Sequence, residues 1–302
     1  MKSASVVDLS EDLLREMPLP MPSGDSDKES RGRVVVVGGS AAVPGAVILT
    51  GTAALRAGAG KVQLAVPKSL ARPIGVAFLE AGIAQFSETQ DVDPTADAWA
   101  DIRDIVQNAD AVVIGPGFMN EQAAGKMTQA LLKNVLGPVF VIDALALTGL
   151  ADAHDVLAEH AGRIILTPHA GEMAKFTARS KEEITEHASA VAHATAQELG
   201  CTVVLKGATT FIATGEVETY RHAHGAVGLA TAGSGDVLAG AIAGFAARGA
   251  DARQASAWGV YVHAQCGARL QRSIGTLGLL AREIADEIPR VLMQFSSLEH
   301  ES

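Results

Sequence analysis

Cysteine is nearly absent: the 302 residues hold two, Cys201 and Cys266. They lie far apart, match neither a C-x-x-C metal pair nor a disulfide framework, and point to a reducing, cytoplasmic setting. Basic charge is scarce too, with 24 Lys and Arg against 34 Asp and Glu and a net charge of −10. That balance excludes non-specific binding to nucleic acid or to an anionic membrane, both of which need a basic surface. No apolar run is long enough to span a membrane, and the acidic, amphipathic start MKSASVVDLSEDLLREM lacks the apolar stretch of a secretory leader. Aromatics make up only 4% of the chain, so its core must come from Ala, Val, Leu and Gly. Such small side chains suit helices packed closely on a sheet.

Short apolar runs alternating with helical stretches fill residues 31–295. Residues 33–37, 61–66, 110–114, 138–142, 163–167, 202–206, 209–213 and 217–221 read as strands. Most are continuously apolar, as parallel strands covered on both faces are. The connections between 202 and 221 are too short for helical crossovers, which makes those strands antiparallel neighbours at one edge. Over 182–199, Ile184, Ala188, Val191, Thr195 and Leu199 recur every three or four residues and form the buried stripe of one helix. Residues 1–30 are an N-terminal extension, in which Ser10 caps a short helix through Leu13, Leu14 and Met17 before the irregular PLPMPSGDSDKES. Residues 296–302 are a C-terminal tail. One doubly wound α/β domain accounts for 31–295, with a mostly parallel sheet and helices on both faces.

In such sheets ligands bind beyond the carboxyl ends of the strands. The residues there read GGSAAVPGA (38–46), GPGF (115–118), DALAL (143–147), TPHAGE (167–172) and KGATT (206–210). Familiar nucleotide fingerprints are missing. GGSAAVPG does not supply G-x-G-x-x-G, and RAGAGKV lacks the leading Gly and the following Ser or Thr of a P-loop. The remaining phosphate candidate is TAGSGD. Gly233, Ser234 and Gly235 can turn successive N–H groups inwards as an anion hole, and the helix that follows adds its positive end. Asp236 then stands where a base would take a proton from an attacking hydroxyl. The competing reading is a helix cap, a place Asp commonly fills.

RVVVVGGSAAVPGAVILTGTAALRAGAGKV, VVIGPG, ILTPHAGE, VVLKGATT and GLATAGSGDVLAGAIAGF occur in this order. Together they resemble the ADP-dependent NAD(P)H-hydrate dehydratases of the ribokinase-like superfamily, over roughly residues 31–290. The resemblance implies a ribokinase-like fold and a repair reaction. NADH or NADPH hydrated at C6 of its nicotinamide ring (NADHX, NADPHX) is phosphorylated on the C6 hydroxyl by ADP. Phosphate then leaves, pushed by the ring nitrogen, and AMP and phosphate are released. By the same resemblance Asp236 is the catalytic base and a substrate contact. Lys206, Gly207, Ala208, Thr209, Thr210 and Gly235 hold the adenine nucleotide, and Ala46, Gly117 and His169 line the hydrated-nicotinamide pocket. His169 also has the simpler reading of bracing its own loop, and Glu172 that of capping the next helix or lying near a metal. The co-substrate is ADP or ATP, accompanied by Mg2+. Family members are commonly tetramers, so a homo-oligomer is expected.

The chain departs from the family pattern in places. Leu145 replaces the second Asp of D-A-D-A-L, Ala226 and Val227 replace the Asn-Pro of G-N-P-G, Met119 replaces the last Gly of G-P-G-x-G, and AGSGD stands for G-G-T-G-D. Asp143 is kept, to support magnesium through water or to fix its loop. His222 and His224 form H-x-H without further ligands to complete a metal site. The stripe of Ala255, Trp258, Val262 and Cys266 over 251–270 reads as core or as an oligomer interface. A small-molecule kinase of the same fold, acting on a hydroxymethylpyrimidine, a thiazole or a sugar alcohol, is the alternative function. Some 30 residues before the first strand are too few for an epimerase domain, so a separate NAD(P)H-hydrate epimerase is the expected functional partner.

Overall fold

The run RVVVV shows no alternation of polar and apolar residues, and its four valines are all buried. Val34 and Val36 enter one hydrophobic layer, Val35 and Val37 the other. The sheet is therefore packed on both faces, as continuously apolar strands demand. The computed structural model describes residues 5–21, 31–216, 218–223 and 225–295.

Within these residues the strands are β1 (Ser5–Asp8), β2 (Arg33–Val37), β3 (Lys61–Pro67), β4 (Gly82–Phe86) and β5 (Ala111–Ile114). They continue with β6 (Val139–Ile142), β7 (Ile164–Leu166), β8 (Thr202–Leu205), β9 (Thr210–Ala213) and β10 (Glu218–His222). Their order across the sheet is β1-β10-β9-β8-β7-β6-β5-β2-β3-β4. Only β9 runs against the others, pairing antiparallel with β8 and β10. Helices Ala46–Arg56, Ser234–Ala247, Ala252–Ser273 and Ala281–Leu292 cover one face. Helices Ala98–Gln107, Glu121–Asn134, Ala170–Thr177 and Ala188–Leu199 cover the other. This is the α/β, mostly parallel architecture expected from the sequence.

All eight expected strands are present, each end within one residue of its expected place. Two were not expected. β4, GIAQF, starts at a glycine and is half-exposed on the outer edge, so it lacks an apolar signature. β1, four residues and mostly exposed, pairs in parallel with β10. The edge expected at β10 is therefore capped by the N-terminal segment. Ser10 does cap the helix Glu11–Glu16, accepting from the Leu13 N–H at 3.2 Å. Beyond it the Trp258 indole donates to the Met17 carbonyl at 2.9 Å and ties the segment to the body. The expected tail 296–302 lies outside the described residues.

The single helix expected over 182–199 is two, Lys181–Glu186 and Ala188–Leu199, joined at a non-helical His187. Its stripe survives because Ile184, Val191, Thr195 and Leu199 are buried across the joint. The stripe of Ala255, Trp258, Val262 and Cys266 is also buried within the chain. It is core, and gives no support to an oligomer interface.

Two helices meet where glycine leaves room. A β-carbon on Gly240 would stand 2.1 Å from the Thr50 carbonyl oxygen, and one on Gly244 2.6 Å from that of Ala54. The Ser234–Ala247 helix therefore lies directly on Ala46–Arg56, with its N-terminus at the carboxyl ends of the parallel strands.

Candidate active site

Asp143 follows β6, Thr167 follows β7 and Lys206 follows β8, so three adjacent strands deliver their next residues to one place. Asp143 Oδ1 accepts hydrogen bonds from Thr167 Oγ1 and Lys206 Nζ, each at 2.8 Å. Glu172 Oε2 is 3.9 Å from the same ammonium. Burial favours a neutral lysine, yet the carboxylates of Asp143, Glu172 and Asp236 outweigh it and hold Lys206 above its ordinary value. The site thus keeps a permanent cation at its floor.

The turn before the Ser234–Ala247 helix closes over this floor. Gly233 has φ +86°, a left-handed conformation that glycine adopts without a steric penalty. A β-carbon on Gly235 would lie 3.4 Å from Lys206 Nζ and 3.9 Å from Asp143 Oδ2. Asp236 sits in the first turn and is half-buried. Burial, together with the Asp143 carboxylate, pushes its pKa up to about 7 against the opposing pull of Lys206. A carboxylate poised there can exchange a proton near neutrality, which an ordinary exposed cap does not do. Gly233, not Asp236, holds the N-cap position of this helix.

The anion hole differs from its expected form. The Ser234 N–H already donates to the Thr231 carbonyl at 3.2 Å, because the left-handed Gly233 folds the chain back on itself. Gly235 and Asp236 keep N–H groups with no backbone acceptor among the described residues.

His169, Lys206, Gly207, Ala208, Thr210, Ser234 and Gly235 line one cavity of about 700 Å³, whose wall is largely apolar. Thr209 sits half-buried in the turn between Ala208 and Thr210. The His169 ring caps the helix Ala170–Thr177: Nδ1 accepts from the N–H groups of Gly171 at 3.0 Å and Glu172 at 3.1 Å. Glu172 returns the bond, accepting from the His169 N–H at 2.8 Å. Both side chains therefore brace this loop, and His169 also lines the cavity.

Ala46 and Gly117 come together at the ends of β2 and β5. A β-carbon on Gly117 would be 3.2 Å from that of Ala46 and 2.5 Å from the Val43 carbonyl oxygen. Neither residue lines the cavity that holds His169 and Lys206.

The departures have visible consequences. Leu145 packs against one hydrophobic layer of the sheet. Val227 and Met119 are exposed. Among the described residues no group of three His, Cys, Asp or Glu side chains could hold a metal ion. His222 stacks edge-on against Tyr261, with ring centres 5.9 Å apart, and His224 lies outside the described residues.

His263 has no motif to announce it in the sequence. It lies on the long helix Ala252–Ser273, and its Nε2 is 3.0 Å from Ser234 Oγ and 3.1 Å from the Ser234 carbonyl oxygen. A titratable residue between buried Val262 and Ala264 was the available signal.

The sequence pattern of the NAD(P)H-hydrate dehydratases matches residues 34–290, from β2 through most of the last helix. The chain belongs to the NAD(P)H-hydrate dehydratase family. It is 45% identical to the ADP-dependent (S)-NAD(P)H-hydrate dehydratase of Xanthomonas campestris pv. campestris, over 92% of this chain and 93% of that one. It is 37% identical to the bifunctional NAD(P)H-hydrate repair enzyme Nnr of Moorella thermoacetica, covering 91% of this chain but 52% of that protein. A solved relative is the ADP/ATP-dependent NAD(P)H-hydrate dehydratase of Bacillus subtilis, co-crystallised with ATP and Mg2+. It superposes with a TM-score of 0.80 at 27% identity, over 97% of this chain and 99% of that one. Across the dehydratase family's matched span lie both the TAGSGD turn and the strand ends that surround it.

Proposed function

We propose that this chain dehydrates NADHX and NADPHX to NADH and NADPH at the expense of ADP, releasing AMP and phosphate. The observation that carries this reading is Asp236, a half-buried carboxylate with a pKa near 7 in the first turn of a helix, beside Lys206 and Asp143. It takes the proton of the C6 hydroxyl as that oxygen attacks phosphorus. Lys206 and the free N–H groups of Gly235 and Asp236 receive the phosphoryl oxygens. Hydroxide is a poor leaving group and phosphate a good one, so the nucleotide makes the elimination feasible.

In this reading the loop Lys206–Thr210 and Gly235 grip the adenine nucleotide, and Ala46, Gly117 and His169 face the hydrated ring. Magnesium arrives on the nucleotide phosphates. Lys206 and Thr167 occupy Asp143 Oδ1, and Leu145 offers no second carboxylate, so these residues do not fit a cage for the metal. A cytoplasmic homotetramer served by a separate epimerase completes the proposal, and light scattering at micromolar concentration tests the assembly.

The deciding experiment supplies purified protein with NADHX and either ADP or ATP. Return of the dihydronicotinamide absorbance together with free phosphate supports the dehydratase. A stable phosphorylated product without that absorbance would establish the kinase alternative instead.

A further inference from the structure

The contact between His263 and Ser234 fixes a tautomer. Nε2 lies 3.1 Å from the Ser234 carbonyl oxygen, which can only accept. A lone pair on Nε2 would face another lone pair there, so Nε2 carries the proton. Burial keeps the ring neutral at neutral pH by pushing His263 down to about 4, so Nε2–H is its one N–H donor. At 3.0 Å, Ser234 Oγ shares that proton as an acceptor.

A hydroxyl that accepts from His263 has its own proton left to donate. Ser234 is 6% exposed and lines the cavity between Lys206 and Gly235. Its backbone N–H is already committed to Thr231. We infer that Ser234 serves the nucleotide through its side-chain hydroxyl, donating to a phosphoryl oxygen, and that His263 is the positioning residue that aims it. This deepens the dehydratase reading, on which it rests. It also explains why a histidine stands in the cavity wall among Leu238, Val260 and Ala264. The wall needs one N–H there, directed at the first residue of the catalytic helix.

The test is calorimetric titration of ADP into the wild-type chain and into Ser234→Ala, His263→Leu, His263→Gln and the Ser234→Ala/His263→Leu double variant. A hydrogen bond from a neutral donor to a charged group supports a loss of roughly tenfold or more in affinity for Ser234→Ala. His263→Leu is expected to lose affinity to a similar extent, because the hydroxyl is free to turn away. The double variant is expected to be no weaker than Ser234→Ala, since His263 acts only through that hydroxyl. Glutamine carries an amide N–H near the position of Nε2, so His263→Gln should bind within about threefold of wild type.

Ser234→Ala binding within twofold of wild type would overturn the inference. So would losses that multiply in the double variant, which would make His263 a packing residue. Should His263→Leu fail to fold, Ser234→Ala and His263→Gln still decide. Turnover of NADHX by the wild-type chain is read in parallel. ADP binding without turnover removes the dehydratase reading alone, whereas absence of ADP binding removes both.

Discussion

The Lys206 ammonium lies 2.8 Å from Asp143 Oδ1, and this contact joins the ends of β6 and β8 across β7. A third carboxylate, Asp236, comes from a helix nearly a hundred residues along the chain from Asp143 and adds to the same field. One cation thus stands among three acids, and the Asp143 carboxylate raises Asp236 while Lys206 lowers it.

Asp236→Asn separates a base from a cap. Asparagine caps a helix about as well as aspartate, so a capping role predicts a normal enzyme. As the base, it cannot accept the proton, and turnover should fall by roughly 10² to 10⁴. ADP should still bind, with equal or higher affinity, because a negative charge beside the phosphates is gone. The variant should also gain thermal stability at pH 8. The folded carboxyl holds its proton up to about 7, whereas the ordinary value is 3.8. Between those values the unfolded chain loses the proton first, so wild-type stability declines as pH rises through the window. Melting curves at pH 4 and pH 8 should show the gain only at the higher pH. A variant retaining more than about a tenth of wild-type turnover would remove Asp236 as the catalytic base.

The pH dependence of kcat/KM should follow the same carboxylate. Activity should rise with pH and level off above about 7, since the base works only when ionised. Asp143 contributes to that high value by repelling the ionised form. Asp143→Asn should therefore move the rising limb to lower pH, even if the plateau is reduced. A limb that stays in place would break the link between Asp143 and Asp236.

Thr210 opens β9 on the cavity wall. Thr210→Val keeps the shape and removes the hydroxyl, so ADP affinity should drop by about 0.5–1.5 kcal/mol while NADHX binding is spared. Calorimetry with each ligand measures the split. Equal losses for both ligands would place Thr210 outside the nucleotide site.

Gly240→Val tests the helix crossing beneath the site. Its β-carbon would meet the Thr50 carbonyl oxygen at 2.1 Å, a contact that only separation of the two helices relieves. Overpacking of this kind costs about 1–3 kcal/mol or more. Because the same helix carries Asp236 at its start, activity should fall before the melting transition is reached. An unchanged melting temperature would show that the crossing yields easily.

The strand ends were readable because nothing polar interrupts runs such as VVVV and AVVI, and each of these two stops at a glycine. Asp143, His169 and Lys206 came into view in that way, as residues next to a boundary. β4 was not readable, since GIAQF on a half-exposed edge looks like a loop. The committed Ser234 N–H was hidden for another reason: G-S-G permits several turns, and only the left-handed Gly233 selects the one that folds back to Thr231. His263 carries no motif. Its meaning comes from the crossing of two helices, a long-range fact that local spacing does not encode.

The pairing of β1 with β10 also bears on how the chain reaches this structure. Ser5 is in register with Glu218, so the outermost strand of the sheet joins segments more than two hundred residues apart. A chain emerging from its N-terminus holds SVVD long before its partner strand exists. Until β9 and β10 are in place, the segment has no docking edge, and Trp258, which anchors Met17, comes later still. Residues made before the rest of the sheet are thus among the last to settle. Loops of this length close slowly, and the N-terminal strand should gain hydrogen-exchange protection after the central strands during refolding.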